Sequence, residues 1–413
     1  MMNRNIKKVA VLGSGVMGSR IACHFANIGL DTLLLDILPK ELLPEEAAKG
    51  ISIESKLFRN RIVNAALDAT LKANPSALYK KSASSKIKVG NFEDDLSKIS
   101  DCDWVIEAVV ENVEIKKSLY EKVELHRKPG TLISSNTSGI PIFLMAEGRS
   151  EDFQKHFCGT HFFNPPRYLK LFEVIPSPKT DASVIDFFMN YGDLFLGKTT
   201  VLCKDTPAFI ANRVGIYSIM EILAVSQKLE LSVEEVDKLT GPVLGRPKSA
   251  TFRTGDVVGL DTLVNVCKNL SNSLPNDEAK NLFIVPDYLQ KMIDNKWLGD
   301  KTGQGFYKKS KNAEGKTEIL SLDIKTGEYK TQVKSKFITL EQTKTIDDLR
   351  LRLKVLVKGQ DKAGDFYRAT FGGLFAYVSN RIPEISDEIY RIDDALKAGF
   401  GWELGPFEMW EAI

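Results

Sequence analysis

Apolar and polar positions divide the chain into two regimes. Up to about residue 203, short apolar runs alternate with longer stretches of helical period. Val9–Leu12, Asp31–Asp36, Asp103–Asn112, Thr131–Ser135, Gly159–Asn164, Lys170–Ile175 and Thr199–Cys203 predict strands, with a short one at Ile87–Gly90 before the break at Asn91-Phe-Glu-Asp94. Uninterrupted runs of this kind suit strands covered on both faces. Ser19–Gly29, residues 39–85 and Val113–Leu125 are expected to be helical, the last ended by Pro129-Gly130. Strands alternating with helices predict a doubly wound α/β domain of Rossmann type over residues 1–204. From Pro207 the period turns helical, beginning with one long apolar helix over Ala208–Leu229, and a mostly helical domain is expected over 205–308. Residues 309–345 are polar and Lys-rich. They predict a connecting arm with a hairpin, Thr317–Leu322 and Glu328–Thr331 flanking Lys325-Thr-Gly327.

Residues 346–413 repeat part of the helical domain. Asn212-Arg213 recurs as Asn380-Arg381, Val236-Asp237 and Gly245 as Ile392-Asp393 and Gly401, and Phe252 as Phe407. The second copy stops at Ile413, short of the counterpart of Gly259, so the chain is expected to be an amino-terminal fragment or to have lost its natural continuation.

Between the first strand and the first helix stands Gly13-Ser-Gly15-Val16-Met17-Gly18, and the second strand ends in Asp36. In this setting Gly13 allows a tight turn, Gly15 lets backbone approach a pyrophosphate, and Gly18 lets the helix pack close to the strand. The helix amino terminus then faces the phosphates. A carboxylate at Asp36 can accept from an adenosine ribose hydroxyl. Ile37 and Leu38 follow it, with no arginine for a 2′-phosphate, which favours NAD over NADP.

Composition changes this picture little. A net charge of +2 argues against a nucleic-acid surface, while a spread of basic residues (Lys56, Arg59, Arg61, Lys72, Lys80, Lys81, Lys86) leaves room for substrate phosphates. Five scattered cysteines without a CxxC suggest reduced thiols and a cytoplasmic setting. The first strand is expected from about residue 6, which predicts no signal or transit peptide ahead of it, and no apolar run reaches membrane-span length. No metal-ligand cluster is evident.

Of four histidines, His24 sits among apolar helix positions and reads as packing. His126 lies near a helix carboxyl terminus, and His156 is expected to be exposed. His161 ends a strand before Pro165-Pro166. Twelve residues on, Glu173 lies within the apolar strand Leu171–Ile175. A carboxylate there needs a partner, because a lone buried charge is costly. A His–Glu pair fixes the imidazole tautomer and makes the far nitrogen a base suited to an alcohol. Ser138 and Asn212 offer a hydroxyl and an amide, and Ser138 lacks the GxSxG context of a nucleophile.

These residues resemble the 3-hydroxyacyl-CoA dehydrogenases of fatty-acid β-oxidation. Gly13–Gly18, Ile106–Asn112, Ser135–Ser138, His161–Pro165, Leu171–Ile175, Lys204–Arg213 and Val258–Thr262 carry the likeness in family order. The resemblance implies a 6-phosphogluconate-dehydrogenase-like helical domain after the Rossmann domain. It implies hydride transfer from C3 of an (S)-3-hydroxyacyl-CoA to NAD, giving the 3-ketoacyl-CoA. His161 would be the base, Glu173 its orienting carboxylate, and Ser138 and Asn212 would hold the substrate oxygen and the base. Glu111 and Asn164 would lie at the nicotinamide end, and Lys116 near the nicotinamide ribose. The arm and Gly399–Phe407 are similar to bacterial multifunctional members, which leaves open a natural fusion to an enoyl-CoA hydratase and a homodimer through the helical domain. Lys248–Arg253 departs from the family's Gly-Pro-Phe-Glu run, which appears instead at 405–408. Two rivals stand beside this expectation. One is a 6-phosphogluconate-type β-hydroxyacid dehydrogenase, disfavoured because Asn212 stands where that chemistry wants a lysine. The other is a non-catalytic NAD-binding relative.

Overall fold

The computed structural model describes residues 4–413. They form two compact units, the first ending at Phe209 and the second running Ile210–Ile413.

The first unit is built on one eight-stranded sheet with strand order β3-β2-β1-β4-β5-β6-β7-β8. The strands are β1 (Lys8–Leu12), β2 (Asp31–Asp36), β3 (Ile87–Asn91), β4 (Trp104–Glu107), β5 (Leu132–Ser135), β6 (Phe157–Phe162), β7 (Leu171–Pro176) and β8 (Thr199–Leu202). The first six run parallel. β7 is antiparallel to β6, and β8 follows the direction of β7. Reversal of β7 follows from its short connection: a loop of eight residues returns the chain beside β6, whereas a parallel neighbour needs a crossover of a dozen or more. Helices α1 (Val16–Asn27) and α2 (Val113–His126) follow β1 and β4. Val9, Val11, Phe25, Trp104, Phe162, Phe172 and Phe188 form the core on one face of the sheet.

Residues 39–85 are less regular than their period predicts. They hold short helices at Pro44–Ala48, Lys56–Arg59 and Arg61–Leu71 and a 3₁₀ segment at Lys81–Lys86. Ser55 caps the second of these and breaks the run, its hydroxyl accepting from the Phe58 N–H.

The second unit opens with α3 (Ala211–Lys228) and holds α4 (Lys362–Asn380) and α5 (Ile389–Phe400) from the repeat. α3 starts three residues later than its apolar run suggests, because Ala208 and Phe209 adopt left-handed backbone at φ 62° and 52°. The arm carries three antiparallel strands, β9 (Tyr307–Lys311), β10 (Thr317–Leu322) and β11 (Tyr329–Thr331). The repeats meet at a buried charge cluster: Arg213 of the first and Arg381 of the second both donate to Asp277 Oδ2, at 2.5 and 2.8 Å. Tyr217 stacks on Tyr377, with ring centroids 3.8 Å apart.

Candidate active site

Sheet order reverses between β1 and β4, and ligands of open α/β sheets bind outside the carboxyl ends of the strands at such a switch point. The glycine turn lies there, and its three glycines answer to different demands. A Cβ on Gly18 would stand 1.8 Å from the Gly13 carbonyl oxygen, so this glycine serves helix–strand contact. Gly13 has φ +99°, and a Cβ there would come 2.7 Å from the Ala108 carbonyl oxygen. Gly15 is different: its φ is −56° and a Cβ would meet no protein atom within 4 Å. Nothing in the fold requires glycine at that position. Open space before the α1 amino terminus fits a group approaching from outside, as a pyrophosphate does. Val16, next in the chain, is 64% exposed, and Met17 is half-buried.

Asp36 ends β2 beside this turn. Its Oδ2 accepts from the Ser14 N–H at 2.6 Å and from the Ser14 hydroxyl, and its Oδ1 from the Ile37 N–H at 2.7 Å. The carboxylate is thus fixed, with acceptor capacity left on Oδ1 for a ribose hydroxyl.

His161 and Glu173 face each other directly across the antiparallel β6–β7 pair. Nδ1 of His161 lies 2.7 Å from Glu173 Oε2. Glu173 is fully buried, and His161 is 6% exposed. With Nδ1–H donating to the carboxylate, Nε2 is left as the basic nitrogen. Phe163 and Phe209 pack on the imidazole, with centroids at 4.6 and 5.7 Å. The left-handed residues before α3 therefore bring Phe209 onto the imidazole.

Ser138 follows β5 and is half-buried. Its N–H donates to Glu111 Oε1 at 2.9 Å, and the Thr137 hydroxyl donates to the same oxygen at 2.5 Å. Glu111 Oε2 pairs with Lys116 Nζ at 3.2 Å. Burial pushes the Glu111 carboxyl up, but the Lys116 ammonium, the Thr137 hydroxyl and the Ser138 N–H outweigh it and hold it below its ordinary value. Asn136 braces the next strand, accepting from the Phe162 N–H at 2.8 Å. Asn164, exposed after β6, accepts from Arg20 of α1 at 2.6 Å. Asn212 lies in the first turn of α3, in the second unit.

Other expected residues fall elsewhere. Burial holds the His24 imidazole down to about 3, so it is a neutral packing group bonded to the Leu196 carbonyl. His156 is not exposed as its polar setting suggested: it is half-buried, with Nδ1 2.8 Å from the Asp152 carbonyl oxygen. Of the basic residues over 56–86, Arg59, Arg61 and Lys86 are paired with Asp94, Glu46 and Asp31. All five cysteines are buried thiols. Among the described residues, no cluster suits a metal ion and no helix is long and apolar enough to cross a membrane. Missing from the sequence reading was Glu107, fully buried at the end of β4 and bonded to Lys116, Tyr120 and Ser135. A charge inside an apolar strand was the available signal.

The chain is similar to known proteins over both of its units. Residues 8–206 match the family model described as 3-hydroxyacyl-CoA dehydrogenase, NAD binding domain, and residues 209–309 match the C-terminal domain of the same family. A Bacillus subtilis protein named "Probable 3-hydroxyacyl-CoA dehydrogenase" is 48% identical over 100% of this chain, which spans 52% of that relative's length. A Deinococcus radiodurans protein of the same name is 45% identical over 80% of this chain and 90% of its own. The crystal structure of a 3-hydroxybutyryl-CoA dehydrogenase from Escherichia coli superposes with a TM-score of 0.67 at 21% identity, covering 99% of this chain and 91% of that one, a likeness of fold that includes the repeat. With its glycine turn, its acid-ended second strand and both domain models matched in order, the chain belongs to the 3-hydroxyacyl-CoA dehydrogenase family, whose NAD-binding domain forms its first unit.

Proposed function

We propose that this chain oxidises an (S)-3-hydroxyacyl-CoA to the 3-ketoacyl-CoA with NAD, as a step of fatty-acid oxidation. The observation that carries the reading is the buried His161–Glu173 pair at the carboxyl end of an NAD-binding sheet. Nε2 of His161 takes the proton of the C3 hydroxyl. Glu173 holds the ring in the required tautomer and offsets the charge that forms on it. Bound NAD supplies the hydride acceptor. Ser138, held through its N–H by Glu111, presents its hydroxyl to the substrate oxygen. Gly15 and the α1 amino terminus receive the pyrophosphate, and Asp36 the adenosine ribose. Glu111 and Asn164 flank the nicotinamide end.

The test is loss of NADH absorbance on adding acetoacetyl-CoA, with NADPH run beside it. Rapid NADH oxidation with little use of NADPH is expected. His161→Gln should abolish turnover while leaving the NADH Kd nearly unchanged; turnover that survives this change assigns the base elsewhere.

A further inference from the structure

The Glu107 cluster has one feature that a structural ion pair does not need. Lys116 Nζ is shared by two carboxylates, Glu107 at 2.8 Å and Glu111 at 3.2 Å. Glu107 and Lys116 are essentially inaccessible to solvent. Glu107 Oε1 takes both the Lys116 ammonium and the Val109 N–H at 2.6 Å, neither of which can accept a proton in return, so this oxygen carries none. The Ser135 and Tyr120 hydroxyls bond to Oε2 at 2.6 and 3.0 Å. Two carboxylates and one ammonium leave the cluster with a net charge of −1. Its hydrogen bonds are made, Glu107 and Lys116 neutralise each other in the interior, and the surplus negative charge lies on Glu111, whose side chain is 36% exposed and so open to a cationic visitor.

The position of the cluster indicates what that visitor is. Glu107 ends the strand next to β1, and Ala108 and Val109 back onto the Gly13 turn. A dinucleotide crossing the switch point lays its adenosine half toward Asp36, over β1 and β2, and its other half over β4 and β5. Oxidised and reduced NAD differ there by one charge, since the nicotinamide ring is cationic in NAD⁺ and neutral in NADH. We propose that the Glu107–Lys116–Glu111 triad sets the cofactor preference of the site: its net negative charge tightens NAD⁺ relative to NADH. Glu107 is the positioning residue that makes the triad anionic. The inference rests on reading this end of the sheet as the dinucleotide site.

Glu107→Gln removes the charge while keeping the shape. Its carbonyl oxygen can stay on the Lys116 side, with its amide facing two hydroxyls able to accept. Titrations of the full chain with ADP-ribose, NADH and NAD⁺ separate the effects, because ADP-ribose lacks the ring that differs. In Glu107→Gln the ratio of NAD⁺ to NADH dissociation constants should rise roughly tenfold, the scale of one buried unit charge acting across a ring-sized distance, with ADP-ribose affinity unchanged. Glu107→Asp, which keeps the charge, should restore the wild-type ratio. Glu111→Gln should shift the ratio in the same direction, and it carries the test if Glu107→Gln does not fold. Equal weakening of all three ligands in the Gln variants, or an unchanged ratio, overturns the proposal and leaves the dinucleotide reading intact. A wild-type chain that binds neither ADP-ribose nor NADH overturns both.

Discussion

Glu173→Gln removes one charge from the His161 pair and almost nothing else. Both side chains are buried and the contact is 2.7 Å. When His161 takes a proton, an imidazolium forms about 4 Å, centre to centre, from the carboxylate, an attraction of about 4 kcal/mol at an effective dielectric near 20. A neutral amide retains about 1 kcal/mol of that as a hydrogen bond. The net loss is about 3 kcal/mol, or roughly a 150-fold fall in kcat. If the amide instead donates to Nδ1, the ring proton moves to Nε2 and the base is lost, so the fall is then deeper. Steady-state oxidation of an (S)-3-hydroxyacyl-CoA by NAD, the direction in which His161 takes the proton, with NADH affinity measured separately by fluorescence, distinguishes this from a binding defect. NADH affinity and the KM for the acyl-CoA should change little, since the substitution alters no shape. An activity within about tenfold of wild type would refute the charge argument, because no dielectric suited to a fully buried carboxylate gives so small an effect.

Gly15→Ala should leave stability unchanged, since its Cβ meets no protein atom, yet weaken NADH by about tenfold in a fluorescence titration. Gly18→Ala should reverse the pattern, losing about 2 kcal/mol in urea unfolding, because its Cβ collides with the Gly13 carbonyl. Lys198 is buried, donates to the Pro166 and Leu169 carbonyls, and is pushed down by burial to about 8. The unfolded chain therefore binds the extra proton between about pH 8 and 10.5, so its destabilising effect is full below pH 8 and is relieved as pH rises through that window, by about 3 kcal/mol. Urea midpoints of wild type should rise relative to Lys198→Met over that range, and parallel curves would contradict this. Asp277→Asn should cost about 3 kcal/mol in urea unfolding, because Arg213 and Arg381 lose the carboxylate on which they converge; a loss under about 1 kcal/mol would mean that Glu384, which pairs with both, suffices alone.

The strands of the first unit were legible because a strand covered on both faces is apolar almost throughout, as Val9–Leu12 is and as Leu171–Ile175 is apart from Glu173. Their direction was not, since an apolar run reads the same either way; only the short loop before β7 reverses it. The start of α3 was hidden for another reason. Ala208 and Phe209 take left-handed backbone, which neither residue prefers alone, and the surrounding structure imposes it where Phe209 meets His161. The 39–85 stretch has helical period, but Ser55 caps a new helix within it, and caps outweigh period over so few residues.

Glu173 and Glu107 pose the same problem in sequence, a carboxylate inside an apolar strand that must find a partner. For Glu173 the partner stands opposite on the neighbouring strand, His161, and a histidine before a Pro-Pro turn draws notice. For Glu107 the partners are Lys116 and Tyr120, four residues apart on one face of α2. In sequence they look like any polar pair on a solvated helix. Only the packing of α2 against the sheet turns that face inward, leaving Lys116 and Tyr120 as buried as the strand residues they serve. A charge in a strand therefore reports that a buried polar site exists, while the partner's identity depends on which helix face the sheet covers. The rule that located the proposed base of the reaction thus also locates the triad proposed to tune its cofactor.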